Sequence, residues 1–178
     1  MSRLVRWFAA LLVITAVFAT IYVVMQQMER QGADDAPARL ASQVASRLAA
    51  GIPPHPPAAD RVDLATSTAP FFVVYDANGR PASGTGYLDG SLATVPSGVL
   101  AAGRSSAGDR VSWQPREGLR FAVVEQRQGS RVVLAGQSLA PAESRIDTLG
   151  LLVLAAWLAT AALLVIAFFV DRALRAIE

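Results

Sequence analysis

Two uninterrupted apolar runs constrain this chain more than any other feature. No charged residue occurs from Trp7 to Met28, and none from Thr148 to Val170. A helix of either length is about 33 Å long, close to the roughly 30 Å hydrocarbon core of a bilayer. A buried core helix is the ordinary alternative for an apolar run, but these runs are long and wholly uncharged, which favours membrane spans. The first run is also too long for the apolar core of a cleaved signal peptide, about 7–15 residues. No small-x-small cleavage site follows it in "QQMERQGADD". It reads as an uncleaved signal anchor.

Two spans put both termini on one side. Arg3 and Arg6 flank the first run, and Arg172 and Arg175 flank the second. Positive charge beside a span stays cytoplasmic, so both termini are expected inside and the central segment outside. The expected organisation is residues 1–28 as cytoplasmic N-terminus and first span, 29–147 as an extracytoplasmic domain, and 148–178 as second span and short tail. The stretch from Glu29 to Asp147 holds twelve Arg and twelve Asp plus Glu, so it is neutral overall. The net charge of +2 therefore comes from the ends. The basic pI does not point to nucleic acid. The absence of cysteine excludes disulfides and thiolate metal sites. All cations are Arg, a composition associated with GC-rich bacterial genomes.

The central segment begins with "DDAPARLASQVASRLAAG", where Leu40, Val44 and Leu48 form a helical apolar stripe. Asp34 and Asp35 suit the positive end of that helix, and Gly51 suits its C-terminal cap. "IPPHPPAAD" is a connector, because its prolines fix φ and remove donors. "RVDLATSTAP" is compatible with a short helical turn. Phe71–Tyr75 has the β-branched and aromatic composition of a strand. Asp76, Asn78 and Gly79 supply a turn, and "RPASGTG" returns as a weaker strand. "PSGVLAAGRSSAG" carries a short helix signal. "DRVSWQP", "LRFAVVEQR" and "RVVLAGQSL" then read as three strands joined by hairpin-length turns. "PAESRID" can begin a helix with Pro141 in its first turn, and only a tolerated Gly150 lies between it and the second span.

Helix, two strands, helix, three strands between two spans resembles the extracytoplasmic PAS-like, Cache-type sensor domains of bacterial membrane receptors. The resemblance rests on the helix leaving the first span, on "VVYDANGRPASGTG" and on "VSWQPREGLRFAVVEQRQGSRVVLAGQSL", and covers most of Ala33 to Leu139. It implies an α+β domain, with one antiparallel sheet of about five strands, helices on one side and a ligand pocket on a face. The tail "DRALRAIE" resembles the entry to the HAMP linker of sensor histidine kinases, with Ala176 where that pattern usually has proline. Together these imply the input half of a two-component sensor in a bacterial inner membrane, with a periplasmic domain.

Chemistry is sparse. The lone histidine, His55, sits in "PPHPP" and reads as a solvated linker residue rather than part of a triad. Without Lys there is no P-loop. Asp34–Asp35 reads as a helix start rather than a metal pair, Asp76 as a turn residue and Glu125 as the polar end of a strand. No catalytic constellation, cofactor or metal is expected. Tyr75, Trp113, Arg120 and Arg131 are the candidate ligand-binding residues, since an Arg facing a sheet pocket can fork onto a carboxylate. Strand alternation offers a competing placement, in which both arginines face water opposite Leu119, Phe121 and Val132. Ala155 with Ala159, and Ala16 with Thr20, have the small-residue spacing that permits close helix contact.

The leading expectation is a membrane-anchored sensor. It binds a small molecule or a partner protein and relays the change through the second span to a histidine kinase or another membrane protein. Its remaining partners are membrane lipid and a second copy of itself. The rival expectation is a non-sensing scaffold of the cell envelope, and an enzyme is the weakest reading.

Overall fold

A computed structural model describes residues 3–32, 34–100 and 110–175. The chain divides into two compact units, Met1–Glu29 with Ser144–Glu178, and Arg30–Glu143.

The first unit is a pair of long helices, α1 (Arg3–Gly32) and α3 (Ala140–Leu174). Both are long and apolar enough to cross a membrane. They are compatible with a two-pass membrane protein. Within this unit they run antiparallel. Trp7 meets Phe168 edge-to-face at 5.8 Å between centroids, and Trp157 Nε1 donates to Thr15 Oγ1 at 3.1 Å. Arg145 pairs with Glu29 at 3.6 Å. The half-buried residues of α1 recur as Trp7, Leu11, Ile14, Phe18, Tyr22, a spacing of three and four. That spacing is the seam of a left-handed helix pair. Gly150 does not interrupt α3. A Cβ there would lie 3.2 Å from the Tyr22 ring, so the glycine makes room for the tyrosine. The small pairs Ala155–Ala159 and Ala16–Thr20 are exposed and take no part in this seam.

The second unit is α+β. Helix α2 (Asp35–Ala49) ends in a Schellman cap, with Gly51 at φ +74°. The N–H of Gly51 donates to Leu48 O and that of Ile52 to Arg47 O. The buried residues of α2 are Pro37, Ala41, Val44 and Ala45, with Leu40 and Leu48 at the margin. The expected Leu40–Val44–Leu48 stripe is thus rotated. Two small alanines at its centre let the helix sit close to the sheet, and the leucines fill the edges.

Five strands form the main sheet: β2 (Phe71–Tyr75), β3 (Pro81–Gly84), β6 (Arg110–Arg116), β7 (Leu119–Gln128) and β8 (Arg131–Ser138). Their order is β3-β2-β8-β7-β6, and all pairs are antiparallel. The last strand therefore lies in the middle. The β2–β3 turn is built as its residues suggest. Asp76 Oδ1 accepts from the N–H groups of Asn78 and Arg80, both at 2.8 Å, and Gly79 has φ +78°. Tyr75 lies beside a bulge in the β2–β3 ladder, which leaves Pro81 on the edge strand.

A second, three-stranded sheet has no counterpart in the sequence reading. It comprises β1 (Val62–Asp63), β4 (Gly86–Leu88) and β5 (Ser91–Leu92), in the order β1-β4-β5. The segment "RVDLATSTAP" contains the expected turn, with the N–H groups of Thr66 and Ser67 donating to Asp63 O, but it opens with β1, which pairs parallel with β4. The helix signal in "PSGVLAAGRSSAG" appears as one turn over residues 97–100; the rest of it lies outside the described residues, as do Ala33 and the tail from Ala176.

Candidate ligand-sensing face

The main sheet has two dry faces, which explains the near-continuous apolar runs of β2, β7 and β8. On one face Phe72, Val74, Val124, Val133 and Ala135 pack with α2. The other carries Phe71, Val73, Tyr75, Trp113, Phe121, Val123, Val132 and Leu134. Leu64, Ala93 and Leu100, from the segment between α2 and β6, cover it.

This second face holds the polar chemistry of the domain. Tyr75 is fully buried, and its hydroxyl donates to Ala93 O at 2.7 Å. That bond ties β2 to the covering segment. Burial pushes the Tyr75 phenol well above the usual tyrosine range, and the charge of Glu125 pushes it further the same way. Glu125 is itself completely buried. It shares parity with Phe121 and Val123, and its register partner is Leu134, which pairs with Val73. It is therefore not the solvated end of a strand, as its sequence context suggested. The ten-residue strand β7 continues to Gln128, beyond the point where "LRFAVVE" turns polar. A carboxylate in such a place is costly unless compensated, so it marks a chemically committed position.

The aromatic residues fix the geometry around it. Trp113 and Phe121 lie 5.5 Å apart between centroids, and Phe71 meets Phe121 edge-to-face at 5.6 Å. The Phe71 ring occupies space that two glycines leave open. A Cβ on Gly86 would come within 2.4 Å of it, and one on Gly136 within 2.6 Å.

Of the four residues singled out from sequence, the structure brings two to this face, Tyr75 and Trp113. Arg120 and Arg131 have the parity of the α2 side and are exposed. Arg120 pairs with Glu143 at 2.8 Å, and its carbonyl accepts from Leu139 N–H at 2.8 Å. It thus braces the start of α3 instead of lining a pocket. The four do not converge. The residue that replaces the arginines is Glu125. The signal for it was alternation, since Leu119, Phe121, Val123 and Glu125 all point one way.

His55 is exposed in its connector, with Nδ1 3.2 Å from Pro53 O. Among the described residues no group of His, Asp and Glu could hold a metal ion. Tyr75, Glu125 and Trp113 thus bring a hydroxyl, a carboxylate and an indole to one face, and all three are buried. No family model matches the chain, no curated protein matches it, and no solved structure matches its fold.

Proposed function

We propose that this protein is a membrane-anchored sensor with both termini cytoplasmic, whose extracytoplasmic PAS-like domain binds a small molecule or a partner protein. A five-stranded antiparallel sheet with a helix on one face and a more elaborate cover on the other supports the PAS-like reading. The observation that carries the sensing role is the exit from the sheet. Strand β8 occupies the centre, ends at Ser138, and is followed after one residue by a 35-residue helix that contains the second apolar run. The corner is braced on its own side by Leu139 N–H to Arg120 O, Glu143 N–H to Leu139 O, and the Arg120–Glu143 ion pair. A central strand cannot shift without its continuation feeling it. Receptor movements of about 1–2 Å, coupled by roughly 1–3 kcal/mol, are enough to bias two packed states.

In this reading the input acts at the Tyr75–Glu125–Trp113 face. A ligand reaching it would loosen the Tyr75–Ala93 bond and alter the packing against β8. The test uses cysteines at positions 6 and 172 of the cysteine-free full chain. Disulfide trapping between them is measured with panels of amines, amino acids and organic acids, and with envelope extract. A compound that changes the trapping rate should lose its effect after a Gly-Gly-Ser insertion at Ala140. An undiminished response after the insertion would refute relay through this corner. If nothing in the panels changes trapping, the scaffold reading replaces the sensor reading.

A further inference from the structure

At the Arg-rich end of the helix pair, α1 and α3 enclose a cleft of about 320 Å³ lined by Arg6, Trp7, Asp171 and Arg175. By volume it holds on the order of ten water molecules, enough for a phosphodiester and part of its glycerol. Its position is set by the sequence. Arg6 immediately precedes the first uncharged run, and Asp171 immediately follows the second. The cleft therefore lies where the apolar surface gives way to polar surface. Trp7 is edge-to-face with Phe168 and supplies the apolar part of the lining. An indole at that level is typical of the membrane–water interface.

The charges are arranged in a specific way. Arg175 Nε donates to Asp171 Oδ1 at 3.0 Å, and Nη2 of the same guanidinium reaches the same oxygen. The carboxylate thus engages one edge of the guanidinium fork, and of the five N–H donors of a guanidinium those on Nη1 remain for another acceptor. Arg6 adds a second guanidinium from the opposite helix. Two cations against one carboxylate leave one positive charge in excess across the lining residues. A single excess charge, with donors from two directions, matches a phosphodiester monoanion rather than a doubly charged phosphate.

We propose that this cleft binds the headgroup of an anionic phospholipid. Arg6 and Arg175 hold its phosphate, Asp171 orients Arg175, and Trp7 packs against the glycerol and first acyl carbons. The acyl chains then lie along the apolar helix surface below. Arg172, one residue after Asp171, is exposed and does not line the cleft, so it supplies charge without belonging to the site.

The test is native mass spectrometry of the full chain in detergent, titrated with phosphatidylglycerol or with phosphatidylcholine. The cleft should retain phosphatidylglycerol at an about fivefold lower concentration than phosphatidylcholine, the effect of about one well-placed arginine. Arg6→Gln and Arg175→Gln should each remove that preference, whereas Arg172→Gln should leave it nearly intact. Far-UV circular dichroism of each variant checks that the helices persist. Equal retention of the two lipids overturns the proposal. So does an equal loss in Arg172→Gln, because diffuse surface charge then explains the binding. Inorganic phosphate in millimolar excess should not displace the lipid. If it does, the site takes free phosphate and the lipid assignment fails.

Discussion

Replacing Gly136 by alanine tests the packing of the face that carries Phe71 and Tyr75 most directly. Gly136 is on the central strand, opposite Phe71 on β2 and Val123 on β7. A Cβ there would approach Phe71 Cζ to 2.6 Å, Val123 Cγ1 to 2.8 Å and Phe71 Cε1 to 2.9 Å. None of these atoms ends a flexible chain. The Phe71 ring cannot retreat either, because its Cδ2 already fills the space above Gly86 and it meets Phe121 edge-to-face. Overpacking of this kind costs about 1–3 kcal/mol, and so rigid a site belongs near the top of that range. Alanine returns about 0.5–1 kcal/mol by restricting the unfolded chain. The net loss is about 2 kcal/mol, or roughly 8 °C in Tm for a unit of this size. The assay is thermal unfolding of the full chain in detergent, followed by Trp fluorescence and circular dichroism. Phe71→Leu frees the space, so the double variant should be more stable than the two single losses predict by at least about 1 kcal/mol. A Gly136→Ala protein that melts with the parent, or a pair of substitutions that simply add, would refute this account of the core.

The remaining predictions concern the turn, the buried phenol and the topology. Gly79→Val places a β-branched residue at φ +78° and should destabilise by about 1–2 kcal/mol in urea unfolding, while Gly79→Asn should cost much less. Tyr75→Phe leaves the Ala93 carbonyl without its donor and should cost about 1–2 kcal/mol in the same assay. Because the folded-state pKa of Tyr75 lies above its unfolded value, the folded state holds that proton more tightly. The stability it contributes is complete below about pH 10 and declines as pH rises beyond that. The parent should therefore lose stability above pH 10 more steeply than Tyr75→Phe, and parallel curves would contradict the burial of the phenol. A reporter phosphatase fused after Gly129 should be active and one fused after Glu178 inactive; the reverse pattern would invert the topology.

Local signals in the sequence carried most of the architecture. Two charge-free runs mark the long helices, Asp76-Ala-Asn-Gly79 marks one hairpin, and "REG" and "QGS" mark the turns of the meander. Each is a short-range property, written within a few residues of where it acts. The second sheet is different. Its strands are two or three residues long, and Val62 meets Gly86 by a parallel pairing that no hairpin announces. One part of it was nonetheless legible. Asp89 and Gly90 both have positive φ, the two-residue turn that Asp-Gly favours between "GYL" and "SL". Glu125 shows a second limit. Parity groups Glu125 with Phe121 and Val123, but nothing local in "FAVVE" says that the cover on that face extends to the strand's polar end. Its surroundings come from tertiary pairing: Glu125 lies opposite Leu134 of β8, which in turn pairs with Val73 of β2, a strand from much earlier in the chain. The arginines fail for a related reason. Arg120 and Arg131 flank apolar strands, but each stands on the α2-side parity near a strand end, where water is within reach.

The position of β8 also dictates how the domain must be made. As the chain emerges in order, β2 and β3 can pair, and so can β6 and β7, but the two hairpins share no ladder with each other. Each exposes a long apolar edge until β8 is inserted between β2 and β7. Unpaired edges of that kind are sites of aggregation and wrong pairing. The strand that closes them is the last part of the domain to be synthesised, immediately before the second apolar helix. Completing the sheet and releasing that helix are thus nearly one event in biogenesis. A chain stalled before Arg131 would hold two open half-sheets, and it should be a substrate for cellular quality control even though most of its strands are already present.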